Sequence, residues 1–145
     1  AFSNQSAAIL ALQGAIFQAV AHAFTSAGLF IGVSLLLARF GSAFVNDYSG
    51  IARVMPIFAV FMMLFILANV GLPGTSGFVG EFFIVLAVWK ASPWTAAFAA
   101  LTLVLTPAYT LWFGKRVIFG AVHHPALHHA KDISALEVLT LVLLR

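Results

Sequence analysis

Glu81 is the only charged residue in the apolar run 54–89, which Arg53 and Lys90 bound. It stands nine residues before Lys90, roughly 13 Å from that charged end at the rise of a helix. A bilayer's hydrocarbon core is about 30 Å thick, so the spacing puts this carboxyl near the middle. A charged side chain there costs roughly 2.5–3.5 kcal/mol, and ionisable groups at such depth mark ion or proton paths. The chemistry implied is proton exchange. Hydrocarbon disfavours the charged form and a nearby helix start favours it, so small changes in the surroundings load or release the proton. The plainer alternative is a permanently protonated acid that ties two helices together by a hydrogen bond.

His22 is the second candidate for proton transfer. It lies within the apolar stretch 7–38, with Gln18 four residues before it and Ser26 four after. Residues four apart share a helix face, and Gly14 and Thr25 extend this one. A neutral imidazole donates from one ring nitrogen and accepts at the other, which suits a relay with Gln18, Thr25 and Ser26 in support. An interhelical hydrogen bond without transport is the alternative.

These residues must be carried by membrane-spanning helices. The chain is 63% hydrophobic and 8% charged, against about 45–50% and about 25% for soluble domains. Continuous apolar runs without alternation argue against strands. Spanning segments are expected at about 7–38, 54–89 and 93–113, with a fourth that begins near residue 133 and is cut short. The expected fold is an all-α polytopic transmembrane bundle. Residues 54–89 as one straight helix would measure roughly 54 Å, too long for a single span. The middle of that run holds Gly71, Pro73, Gly74, Thr75, Ser76 and Gly77. Proline removes a backbone donor, glycine lowers the cost of leaving the helix, and Thr75 or Ser76 can cap a new one. One discontinuous helix, broken between Gly71 and Gly77, is therefore expected. Irregular backbone at membrane depth is tolerated where it is buried or lines a cavity, and broken helices recur at ion sites. Glu81 then falls in the second turn of the second half.

The remaining polar residues set orientation and boundaries. Arg39, Arg53, Lys115, Arg116 and Lys131 fall on one side and Lys90 on the other, which makes the first side cytoplasmic or matrix-facing. Trp89, Trp94, Trp112 and Tyr48 fit an interfacial aromatic belt. Lys90, Lys115 and Arg116 anchor helix ends by snorkelling. Solvation or helix-start capping accounts for Asp47, Asp132 and Glu137. The loop histidines His123, His124, His128 and His129 match no strong metal-binding spacing and read as a solvated, pH-sensitive loop. The chain has no cysteine, which rules out disulfides and thiolate or iron–sulfur ligation. Its few scattered cations argue against nucleic-acid binding. The absence of an initiator Met and the short final apolar run are what a piece of a larger membrane subunit would show.

The run LANVGLPGTSGFVGEF (67–82) resembles the broken-helix signature of the M subunit (chain 4) family of proton-translocating NADH:quinone oxidoreductase, respiratory complex I. LQGAIFQAVAHAFTSAGLF (12–30) resembles the preceding helix, and AYTLWFGKRVIFG (108–120) the end of the following one. Asp47–Gly50 with Met55-Pro56 resembles the connecting loop, and Asp132-Ile133 with Glu137 the start of the last helix. The resemblance covers the C-terminal part of such a subunit. It implies an antiporter-like helix bundle in the bacterial inner or mitochondrial inner membrane, with Glu81 and His22 on a mid-membrane polar axis. Lysine usually stands at the Glu81 position in the L, N and Mrp D subunits, so the acid favours M. It also implies partners among the other membrane-arm subunits, including the L and N types, and the lipid bilayer. No cofactor is implied in this chain; NADH, FMN, iron–sulfur clusters and quinone would belong to partner subunits. A subunit of a Na⁺/H⁺ antiporter of the Mrp type and a structural membrane subunit are the rival readings.

Overall fold

Proline opens two of the long helices. Pro56 and Pro93 are each a first helical residue, where the missing N–H costs nothing and the fixed φ is already helical. The structure, a computed structural model, describes residues 2–42, 44–120 and 132–143. The helices among the described residues are α1 (Phe2–Phe40), α2 (Ile51–Val54), α3 (Pro56–Asn69), α4 (Ser76–Ala91), α5 (Pro93–Ile118) and α6 (Ala135–Leu143), with a 3-10 turn at Val45–Asp47. No strand occurs among the described residues. The all-α expectation holds. Two stretches, Ala8–Phe40 and Pro93–Ile118, are long and apolar enough to cross a membrane, and α3 is apolar but shorter.

The helix ends follow local rules. Gly41, at φ +71°, closes α1 by donating its N–H to the Leu37 carbonyl at 2.8 Å, as a left-handed helix terminator does. Met55 leaves helical geometry at φ −131° because the residue before proline is pushed towards extended backbone. The second apolar run therefore enters its long helix at Pro56 rather than at Val54. The third expected segment, 93–113, continues to Ile118, so Lys115 and Arg116 occupy the last turn of α5 instead of a loop. Positive side chains are favourable at a helix C-terminus. Pro107 lies inside α5 and leaves the Leu103 carbonyl without its usual donor. The four loop histidines lie outside the described residues.

The chain divides into two units, Ala1–Ala23 with Leu67–Tyr109 and Phe24–Ile66 with Thr110–Arg145. The second unit has its own core, in which Ile51, Met55, Phe58, Ile66, Ile118 and Leu141 are fully buried. Gly28 lies against Phe65, and Gly32 against Met62. Small residues at such contacts let membrane helices approach closely. Asp132 caps a helix remote in sequence: its carboxylate accepts the N–H groups of Ile57 at 2.9 Å and Phe58 at 3.3 Å. These are two of the orphan donors that begin α3. Ser134 and Glu137 form a reciprocal capping box at the start of α6, with the Ser134 N–H donating to Glu137 Oε2 at 2.6 Å and the Glu137 N–H to Ser134 Oγ at 3.4 Å. The same carboxylate takes Arg39 Nη2 on both oxygens, at 2.9 and 2.8 Å. Tyr48 is buried and donates its hydroxyl to the Ser42 carbonyl; burial pushes its phenol up from the ordinary tyrosine value.

Candidate functional site: the Glu81 carboxyl

The site belongs to the first unit and begins where α3 stops. The Leu72 N–H donates to the Leu67 carbonyl at 3.2 Å and the Gly71 N–H to the Ala68 carbonyl at 3.2 Å. These are the two bonds of a Schellman helix end, whose left-handed position is held by Gly71 at φ +71°. Pro73 follows, since it cannot continue a helix. Gly74 is also left-handed, at φ +100°. Thr75 stands at the N-cap position of α4 with extended backbone, but its hydroxyl does not bond the helix. It turns back to the Leu72 carbonyl at 2.8 Å instead. Residues 70–75 thus lie between α3 and α4. Ser76 and Gly77, expected in the break, are already helical. Gly77 is needed for a different reason: a Cβ there would stand 2.7 Å from the Ala68 carbonyl oxygen.

Glu81 sits in the second turn of α4, half-buried. Its carboxyl rests against the Gly71 backbone, where an added Cβ would come 2.5 Å from Oε2. The glycine that ends α3 is thus also the wall of the carboxyl's seat. From α1, Gln18 Nε2 donates to Glu81 Oε1 at 3.2 Å. Two glycines bring α1 and α4 together for this bond. A Cβ on Gly80 would stand 2.6 Å from Gln18 Oε1 and 2.9 Å from its Cα. A Cβ on Gly14 would meet the Cβ of Phe83 at 3.0 Å. Gln18 Oε1 is buried with no hydrogen-bond partner among the described residues.

His22 lies one turn beyond Gln18 on α1 and is exposed. Gln18, which the sequence pattern places in a supporting role, bonds the acid directly. Thr25 is buried and Ser26 half-buried, both further along α1 in the second unit. Pro73 and Gly74 are exposed. Gly14, on the stripe that the sequence pattern marks, serves as a point of close approach, and Gly80, which adjoins Glu81, escapes that pattern. Among the described residues no three His, Cys, Asp or Glu side chains cluster as a metal site would require. The chemistry this arrangement supports is proton exchange at one carboxyl held between a helix end and an amide.

A family model described as NADH:quinone oxidoreductase/Mrp antiporter, TM, matches residues 2–106. NADH-quinone oxidoreductase subunit M of Rhodobacter capsulatus is 40% identical over 126 residues, covering 87% of this chain and 25% of that protein. NADH-ubiquinone oxidoreductase chain 4 of Chondrus crispus is 34% identical over 134 residues, 92% of this chain and 27% of that one. Among solved structures, a chain of respiratory complex I from Thermus thermophilus with bound NADH superposes with a TM-score of 0.71 at 29% identity, covering 93% of this chain and 30% of that chain. The chain spans about a quarter of the length of the curated relatives it matches. It belongs to the transmembrane family of NADH:quinone oxidoreductase and Mrp antiporter subunits.

Proposed function

We propose that this chain is the C-terminal part of an M-type subunit of complex I and that Glu81 carries protons through it. Quinone reduction in other subunits drives the transfer, and NADH, FMN, iron–sulfur clusters and quinone belong to those subunits. The L- and N-type subunits are the neighbours expected on this reading. The names of the relatives favour it over the Mrp antiporter. The observation that carries the proton role is the seat of the acid, between the Gly71 helix end and the Gln18 amide.

In this reading α3 and α4 are the two halves of one interrupted span. Interrupted helices place backbone polar groups beside an ion path at the depth where side chains alone are costly. The Gln18 amide serves both states of the acid. Its NH₂ donates to the carboxylate, and after a half-turn of the amide its oxygen accepts from the carboxylic acid. The unpartnered Gln18 Oε1 is the atom that would take that bond. His22, exposed one turn away, passes the proton on, with Thr25 and Ser26 continuing the polar stripe along α1.

Company distinguishes complex I from an antiporter. When the full-length protein is tagged and purified from its membrane in mild detergent, NADH dehydrogenase activity sensitive to quinone-site inhibitors is expected to copurify. Na⁺-driven proton exchange in vesicles without NADH dehydrogenase in the preparation would contradict the assignment.

A further inference from the structure

Given the proton role proposed for Glu81, on which this rests, we infer that Gly80 is a positioning residue for the transfer. Its missing side chain is the space in which the Gln18 amide reaches the carboxyl and turns over.

A glycine inside a helix needs a reason, because alanine is the better helix former. Gly80 lies inside α4 and is buried. Backbone freedom is not the reason, since the glycines with positive φ are Gly41, Gly50, Gly71 and Gly74. Contact is. An added Cβ would stand 2.6 Å from Gln18 Oε1, 2.7 Å from its Cβ and 2.9 Å from its Cα. These three nearest atoms all belong to the residue that bonds Glu81. The Cα and Cβ can retreat only if α1 moves, and Oε1 only if the amide moves. A methyl at position 80 therefore acts on the reach of Gln18 and on the orientation of its amide. Gly14, the other close approach between α1 and α4, differs. Its added Cβ would meet Phe83 Cβ at 3.0 Å, the Ile84 nitrogen at 3.2 Å and the Gly80 carbonyl oxygen at 3.3 Å. None of these atoms belongs to Gln18 or Glu81. Gly14 governs helix spacing, whereas Gly80 governs spacing and amide together.

The amide needs that room because the acid changes its hydrogen-bonding character. A carboxylate only accepts, and Gln18 Nε2 donates to Glu81 Oε1 at 3.2 Å. A protonated acid carries a donor and calls for an acceptor. Gln18 Oε1 is buried without a hydrogen-bond partner among the described residues, and a buried acceptor left without a donor is costly. A half-turn of the amide presents that oxygen to the acid's O–H and carries the NH₂ to where the oxygen stood. That place lies against Gly80. A methyl there obstructs the exchange of the two ends, and Glu81 would face one amide orientation in both protonation states.

The test uses the full-length protein in its native assembly, at matched amounts of assembled complex. Proton movement is read as NADH-driven acidification of inverted vesicles. The Glu81 carboxylic-acid band is read by infrared difference spectroscopy and identified by its absence in Glu81→Gln. Gly80→Ala is expected to lower proton movement roughly tenfold or more and to displace the Glu81 band, as Gln18→Gly does by removing the amide outright. Gly14→Ala is expected to lose clearly less. Equal losses from Gly80→Ala and Gly14→Ala, or a Glu81 band unmoved in Gly80→Ala, would reduce Gly80 to a spacer and overturn the proposal. The double variant Gly80→Ala/Gln18→Gly relieves the contacts with Oε1 and Cβ, and it decides the matter if Gly80→Ala does not assemble. Its proton movement is expected to match that of Gln18→Gly within about twofold, since two changes to one interaction do not add. A further loss of roughly tenfold in the double variant would show that Gly80 acts on something other than Gln18, and would also overturn the proposal. Loss in Glu81→Gln with normal movement in Gly80→Ala removes the role of Gly80 alone. Normal movement in Glu81→Gln removes the proton role on which it rests.

Discussion

Glu81→Gln is expected to lower proton movement through the subunit at least tenfold, measured as NADH-driven acidification of inverted membrane vesicles at matched amounts of assembled complex. The substitution keeps size, shape and the capacity to bond the Gln18 amide, so packing between α1 and α4 survives. What it removes is the exchangeable proton. A positioned acid or base contributes about 10²–10⁴-fold to a proton-transfer step, which sets the scale. Glu81→Asp keeps the acid but withdraws it by one methylene from Gly71 and Gln18, and is expected to restore part of the loss. If Glu81 were only a hydrogen-bonded link between helices, Gln would preserve that link and leave protons moved per electron intact.

A paired comparison of two glycines separates the seat of the carboxyl from the stability of the turn. Gly71 and Gly74 both have positive φ, +71° and +100°, so alanine at either is strained by roughly 1–2 kcal/mol. Only one of them touches the acid. A Cβ at Gly71 would stand 2.5 Å from Glu81 Oε2, whereas one at Gly74 meets nothing within 4 Å. Gly71→Ala must therefore displace the carboxyl from Gln18 as well as strain the helix end. Its proton movement is expected to fall at least tenfold. Gly74→Ala, with similar loss of thermal stability, is expected to stay within about twofold of wild type. Equal loss in both variants would mean that the turn matters only as structure.

Local chemistry was legible in the chain and distant pairing was not. Proline and glycine act on their own residue and its neighbours, so Gly71, Pro73 and Gly74 placed the end of α3 closely. Gly77 misled because its role is contact: it lets the first turn of α4 pass the Ala68 carbonyl. Hydropathy ended the third segment at the first charges, yet α5 runs on through Lys115 and Arg116 because cations suit a helix C-terminus. Glu81 stood out as the lone charge of an apolar run, and the shared face of Gln18 and His22 followed from helical period. Which of those two would touch the acid did not, since that depends on where Gly14 and Gly80 let α1 cross α4. Asp132 reaches back 75 residues to cap α3, and Arg39 pairs with Glu137 across 98. No pattern of composition or spacing announces bonds of that range.

Redox-triggered infrared difference spectroscopy of the assembled complex, compared between wild type and Glu81→Gln, tests the proton role most directly. The account predicts a carboxylic-acid carbonyl band that changes during turnover in the wild type and is missing from the variant. Identical difference spectra in the carboxyl region from two actively turning-over preparations would show that Glu81 keeps one protonation state throughout, and would contradict it.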